Sequence, residues 1–155
     1  MFASEIRAQR NAIMFHMEKL DLNWNVTLQF NSQVSEEKAH KLAVCWTRRL
    51  EKKIFGRRRL KYTEKNAKCI GYWFKENFDK EGPHLHGQLR VPERYITRRA
   101  DGVWLRKQGI IIWSKLCPAG SFEVGDHTPH IWRGYITKGV EQEGSKFFGR
   151  YFVVN

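Results

Sequence analysis

From residue 22 to residue 31 apolar and polar side chains alternate without a break, Leu22, Trp24, Val26, Leu28 and Phe30 against Asn23, Asn25, Thr27, Gln29 and Asn31. A period of two is the pattern of an extended strand with one apolar and one polar face. Ahead of it, residues 4–20 set Ile6, Ile13, Met14, Met17 and Leu20 among polar positions, which predicts an amphipathic helix that Ser4 can cap. After it, Ser35 is followed by Glu36, Glu37 and Lys38, a helix start with Ser35 as N-cap and acids in the first turn. Ala39, Leu42, Ala43, Trp46 and Leu50 continue as a helical stripe. This helix runs out into Lys52, Lys53, Arg57, Arg58 and Arg59. Such a basic tract is either a solvated end favoured by the helix dipole or a contact to DNA.

Residues 68–77 and 84–91 read as two strands joined by Asp79-Lys80-Glu81-Gly82-Pro83, a polar turn with Gly and Pro. In the second strand Leu85, Leu89 and Val91 take one face and His84, His86, Gln88 and Arg90 the other. Residues 92–116 predict one or two helices around Gly102 and Gly109, with residues 110–113 buried, and residues 121–125 a short strand. Thr128 as N-cap, Pro129 at the first helical position and Gly139 as a left-handed stop frame a short helix. Residues 147–154 form a final apolar strand. With no internal repeat, no low-complexity segment and no Pro/Gly/Ser linker, the expectation is a single domain over 1–155. It divides into an N-terminal helix (1–20), a core (22–140) and a terminal strand (147–154). Strands and helices in this order predict an α+β fold, helices packed on a sheet.

Composition narrows the classes. At 155 residues the chain can close one core, and no run of about 18 apolar residues is present to span a membrane. Glu5, Arg7 and Arg10 stand where a signal peptide needs an apolar stretch, and Cys45, Cys69 and Cys117 form no CxxC pair. Both features lead us to expect a reducing, cytoplasmic location. Lys and Arg number 28 against 16 Asp and Glu, a formal charge of +12. Such an excess favours polyanions through counterion release, which makes nucleic acid the first partner to consider.

The sharpest chemical signal is His84-Leu85-His86. Residues two apart on a strand share a face, so both imidazoles project together and can share one divalent ion. The alternation that buries Leu85 and Leu89 is expected to leave both histidines exposed on the polar face. Glu76 lies across the turn from His84 and is the candidate third ligand. Its phase is open, because both Tyr72/Phe74 and Trp73 alternate with it, and a solvated edge carboxylate explains it equally well; His127 and His130 are next in line. The second signal is Tyr135-Ile136-Thr137-Lys138 on the capped helix, where phenol and ammonium are neighbours three residues apart. A phenol with a pKa near ~10 is a poor nucleophile at neutral pH, and an adjacent cation favours the phenolate. The plainer alternative is a packed aromatic beside a Lys whose stem lies on it.

Taken together these residues resemble the HUH endonucleases, specifically the replication initiators of rolling-circle plasmids and of circular single-stranded DNA viruses. The resembling motifs occur in the family's order: a first-motif strand at Thr27-Leu28-Gln29-Phe30-Asn31, His-hydrophobic-His at His84-Leu85-His86-Gly87, and Tyr-x-x-Lys at Tyr135 to Lys138, within about residues 22–140. The resemblance implies a ferredoxin-like antiparallel sheet with helices on one face and the active site on the other. It implies that His84, His86 and an upstream acid, best matched by Glu76, bind Mg²⁺ or Mn²⁺, and that Tyr135 is the catalytic nucleophile assisted by Lys138. The implied reaction is nicking and rejoining of single-stranded DNA through a 5′-phosphotyrosine, initiating rolling-circle replication. No GxxxxGK[ST] motif occurs, so unwinding is expected of a separate or host helicase. Only one tyrosine stands in the motif helix, which leaves a second nucleophile unassigned. Trp24, Trp73 or Trp132 can stack on unpaired bases, with core packing as the simpler role for each. The competing readings are a single-strand transposase of the same chemistry and a nonenzymatic nucleic-acid-binding module.

Overall fold

The structure is a computed structural model that describes residues 3–59, 69–78, 81–92, 95, 99–125, 129–137 and 151–154. Where the alternation of residues 22–31 is strictest the chain is extended as β1 (Trp24–Gln29), between α1 (Ala3–Lys19) and α2 (Glu36–Arg59). Then follow β2 (Gly71–Glu76), β3 (His84–Leu89), α3 (Arg99–Leu116), β4 (Ser121–Val124), α4 (Pro129–Ile136) and β5 (Tyr151–Val154). Ser35 caps α2 as its sequence predicts, its Oγ accepting from Lys38 N at 3.1 Å. Near its end α2 is broken at Gly56 (φ 72°, ψ 165°), a left-handed conformation that only glycine adopts freely.

The five strands form one antiparallel sheet in the order β4-β1-β3-β2-β5. The fold is therefore α+β, with β3 central and its neighbours β1 and β2 on either side. One face carries Trp24, Val26 and Leu28 of β1, Trp73 of β2, and Leu85 and Leu89 of β3. Onto it pack Ala39, Ala43, Trp46 and Leu50 of α2 and Leu105, Ile112 and Trp113 of α3, forming the main core. Of residues 110–113, expected to be buried as a block, Ile112 and Trp113 are, while Ile110 is 43% exposed. A helix turns 100° per residue and cannot bury four neighbours against one sheet.

The other sheet face has a smaller apolar layer. Met17 of α1, Tyr72 and Phe74 of β2 and Trp132 and Ile136 of α4 are buried together with Leu22. Leu22 departs from its alternation phase because the strand begins only at Trp24. Asn23 instead holds Val91 through a reciprocal pair, Nδ2 to Val91 O at 2.9 Å and Val91 N to Oδ1 at 3.0 Å. The polar positions of this face are buried as well: Asn25, Thr27 and Gln88 are each at most 5% exposed. Their hydrogen bonds make burial tolerable, Gln88 Nε2 donating to Asn25 Oδ1 at 2.9 Å and Arg133 Nε to Gln88 Oε1 at 2.9 Å. No described helix is long and apolar enough to cross a membrane.

Candidate metal centre and nucleophile

Strand register decides which residues meet. Glu76 is paired with His84 across β2 and β3, and Gln29 with His84 across β1 and β3; one step along, Thr27, His86 and Phe74 form the next row. Directly paired residues point to the same face. Tyr72, Phe74 and Glu76 thus share the histidine face and Trp73 lies on the opposite one, which resolves the phase of Glu76 that the sequence leaves open. Glu76 Oε2 lies 2.7 Å from His86 Nε2 and 3.2 Å from His84 Nε2, and the two ring nitrogens are 3.1 Å apart.

A second set of contacts aims these nitrogens. The carbonyl of Gly82, at φ 77° in the β2–β3 turn, is 2.9 Å from His84 Nδ1. A carbonyl only accepts, so Nδ1 carries the proton and the Nε2 of neutral His84 presents its lone pair to the cluster. On His86, Nδ1 is 3.0 Å from Thr27 Oγ1, which leaves Nε2 turned toward Glu76. Unprotonated imidazole nitrogens and a carboxylate oxygen in such proximity repel one another unless a proton or a metal ion lies between them. Separations of 2.7–3.2 Å would let the three atoms ligate one divalent metal ion together. Glu76, His84 and His86 are the group of described residues whose atoms could hold such an ion.

The histidines are less open than the alternation predicts. His86 is 8% exposed, because α4 crosses the sheet face beside it. The rings of Trp132 and Tyr135 both stand edge-on to His86, at 5.5 and 5.6 Å between centroids. The helix is held there by Trp132 Nε1 donating to Gly87 O at 3.1 Å and by Arg133 donating to Gln88 Oε1 and, at 3.2 Å, to Leu22 O. From α1, Arg10 Nη2 donates to Gly134 O at 2.9 Å. Trp132, Arg133 and Ile136 face inward, and Tyr135 is left 42% exposed at the rim of the cluster. Gly87 leaves no room for a side chain on the other face, where a Cβ would stand 2.5 Å from the Trp73 ring.

Of the other sequence candidates, Lys138, Thr128, Gly139 and His127 lie outside the described residues. His130 is exposed on α4 and is not part of the cluster. Tyr72 is buried and hydrogen-bonded to His16, Tyr95 donates to Ile54 O at 3.3 Å, and Tyr62 and the Tyr151 side chain lie outside the described residues. Among the tryptophans raised as stacking platforms, Trp24 and Trp73 belong to the main core on the opposite face, and Trp132 stands at the site. Sequence reading missed Thr27 as the residue that orients His86, although its place on the polar face of β1 was legible. It also missed Glu123, paired with Thr27 across β1 and β4 and therefore on the site face.

Hydrogen bonds from His84 and then His86 hold the Glu76 carboxyl well below the usual carboxylate range, and the same bond, accepted by Glu76, raises His84 above the ordinary imidazole value. A raised pKa means the proton is held more tightly, and a metal needs the unprotonated nitrogen. Affinity for Mn²⁺ is therefore expected to fall as pH is lowered from about 8 to about 6, across the ordinary imidazole pKa of about 6.5. Calorimetric titrations at the two pH values, with proton release read from buffers of different ionisation heat, check this; equal affinity at both contradicts it. Thr27→Val removes the hydroxyl beside His86 Nδ1 at nearly constant volume. It is expected to weaken Mn²⁺ binding about 10–100-fold, as loss of an orienting partner does elsewhere, with little change in secondary structure by circular dichroism.

Comparison of the chain with protein-family models, with curated proteins and with solved structures finds no match, so the functional reading rests on this geometry and on the motifs that form it.

Proposed function

We propose that the protein is a metal-dependent endonuclease that nicks single-stranded DNA and holds the new 5′ end on Tyr135. The observation that carries this reading is the convergence of Glu76, His84 and His86 within 4.8 Å, with the exposed Tyr135 ring set against His86. Three donors of this kind fit a hard or borderline divalent cation, and a phenol beside such a cation fits attack on a phosphodiester.

Glu76, His84 and His86 would hold Mg²⁺ or Mn²⁺, which would supply charge stabilisation for the phosphate oxygens. The Tyr135 oxygen forms the new bond to phosphorus as the bond to the 3′ oxygen breaks. The phenol gives up one proton and the departing 3′ oxygen takes one up, so a phosphodiester is exchanged for a phosphotyrosine ester with no net hydrolysis. The free 3′-hydroxyl can reverse the exchange without a nucleotide cofactor, which accounts for joining as well as nicking. Trp132 and Arg133 fix α4 against β3, so the phenol is positioned before substrate arrives and little ordering remains to be done at the reactive step. Because α4 largely covers His86, an unpaired strand, whose backbone can bend toward it, fits better than a rigid duplex. Unwinding falls to a separate helicase, and initiation of rolling-circle replication is the process in which such an enzyme acts.

The test is incubation with mixed-sequence single-stranded oligonucleotides and Mn²⁺, followed by a denaturing gel. A band shifted by the mass of a nucleotide fragment, absent with a fully paired duplex of the same sequences, supports the proposal. Cutting without any adduct, or equal cutting of both forms, would place the protein in another nuclease class; intact oligonucleotides throughout would favour a binding module.

A further inference from the structure

The site face leaves the basic tract of α2 unused. On the opposite side of the molecule α2 and α3 enclose a groove of about 390 Å³, lined by Arg49, Lys52, Lys53, Ile111, Ile112 and Lys115. Arg49 lies one helical turn before Lys52 and Lys53, so the three form a ridge along α2, and Lys107, one turn before Ile111, continues the row on α3. All five cations are solvent-exposed, and among the described residues none of them forms an ion pair. Among the described residues no carboxylate offsets them locally. Residues 102–116 contain no Asp or Glu, and Glu51 in this stretch of α2 is buried against Arg48 and the Cys69 backbone. A helix face that is merely solvated usually mixes both signs, whereas like charges packed together repel in the absence of a counter-charge.

We infer that this back face binds the sugar-phosphate backbone of double-stranded DNA. Cations in two rows along neighbouring helices meet phosphates, and phosphate contacts position a duplex without reading its sequence. A single strand is the poorer fit. Binding of unpaired bases relies on exposed aromatic rings. The large exposed aromatics among the described residues are Phe15 and Tyr135, carried by α1 and α4 on the other side of the sheet. The groove lining itself offers cations and aliphatic carbon. An acidic amphipathic peptide would suit the isoleucine floor, but the charges extend past the groove along α3, as a long polyanion requires. The inference depends on the proposed function for the choice of DNA, and its test does not depend on cleavage.

Binding of a short fluorescent duplex is measured by anisotropy in EDTA over a series of salt concentrations, for the native chain and for Lys52→Gln/Lys115→Gln. Both side chains are exposed, so the fold is retained. The double variant is expected to bind duplex about tenfold more weakly at low salt, with a log–log salt slope shallower by about 2, close to 0.9 for each phosphate contact removed. Its affinity for a single-stranded oligonucleotide is expected to stay unchanged. Unaltered duplex binding overturns the proposal and would assign the groove to an acidic peptide. A parallel loss for both DNA forms overturns it as well, since the cations would then act as a general attractor. Failure of the nicking assay with a selective loss of duplex binding would sink the proposed activity and leave this surface standing.

Discussion

Tyr135→Phe is expected to abolish the covalent DNA adduct and to lower cleavage by roughly 10⁴-fold or more, while binding of DNA and of Mn²⁺ persists. Loss of an enzyme's nucleophile has effects of this order because the remaining groups only bind and polarise. The substitution removes one oxygen and keeps the ring, so the edge-on contact with His86 and the tilted contact with Trp132 survive. The fold should therefore be unaffected, and a change in melting temperature would itself be informative. Tryptic mapping of the adduct trapped with the native chain should find the nucleotide on Tyr135. Mapping to Tyr95 or Tyr151 would remove the nucleophile assignment and leave the enzyme class intact. Lys138→Ala should slow cleavage without ending it, since its charge only assists the attack.

His86→Ala is expected to eliminate both cleavage and measurable Mn²⁺ binding, and excess EDTA to reproduce the loss of cleavage in the native chain until Mg²⁺ or Mn²⁺ is restored. Its Nε2 is the nitrogen closest to the Glu76 carboxylate, at 2.7 Å, and its Nδ1 is bonded to Thr27, so no neighbouring group can take its place. The variant should also lose stability, by about 1–3 kcal/mol, because a buried ring wedged between Thr27, Trp132 and Tyr135 leaves a gap that the sheet cannot close. His84→Ala, at the more open end of the row, is expected to match it in activity with a smaller stability cost. Chemical denaturation of the two metal-free variants distinguishes these outcomes. Full cleavage by the native chain in excess EDTA would reject the metal assignment.

The candidate ligands were legible because the chemistry of a strand is periodic. His84 and His86 share a face in any extended chain, and Glu76 was placed near them by the short turn alone. Its phase was not legible, since Tyr72, Trp73 and Phe74 are all apolar and a strand buried on both faces has no polar face to mark. Tyr135 stood out through its helix signals, yet nothing in those signals brings it to His86. That contact depends on Trp132 reaching the Gly87 carbonyl and Arg133 reaching Gln88, hydrogen bonds between residues 45 positions apart. The burial of His86 was missed for the same reason: α4, predicted as a helix, gave no sign of the face it would cover.

By itself the sequence determined the local terms of this protein. The element order, the Ser35 cap, the apolar face of β1, the paired imidazoles and the cationic excess all follow from backbone periodicity and side-chain chemistry within a few residues. The tertiary structure alone decided the strand order β4-β1-β3-β2-β5, the register that sets Glu76 opposite His84, and the layer of α1 and α4 over the polar face. Those features depend on contacts between distant segments. Each is selected by the joint burial of apolar surface and the pairing of buried polar groups such as Asn25, Gln88 and Arg133, energies that no single stretch of chain contains.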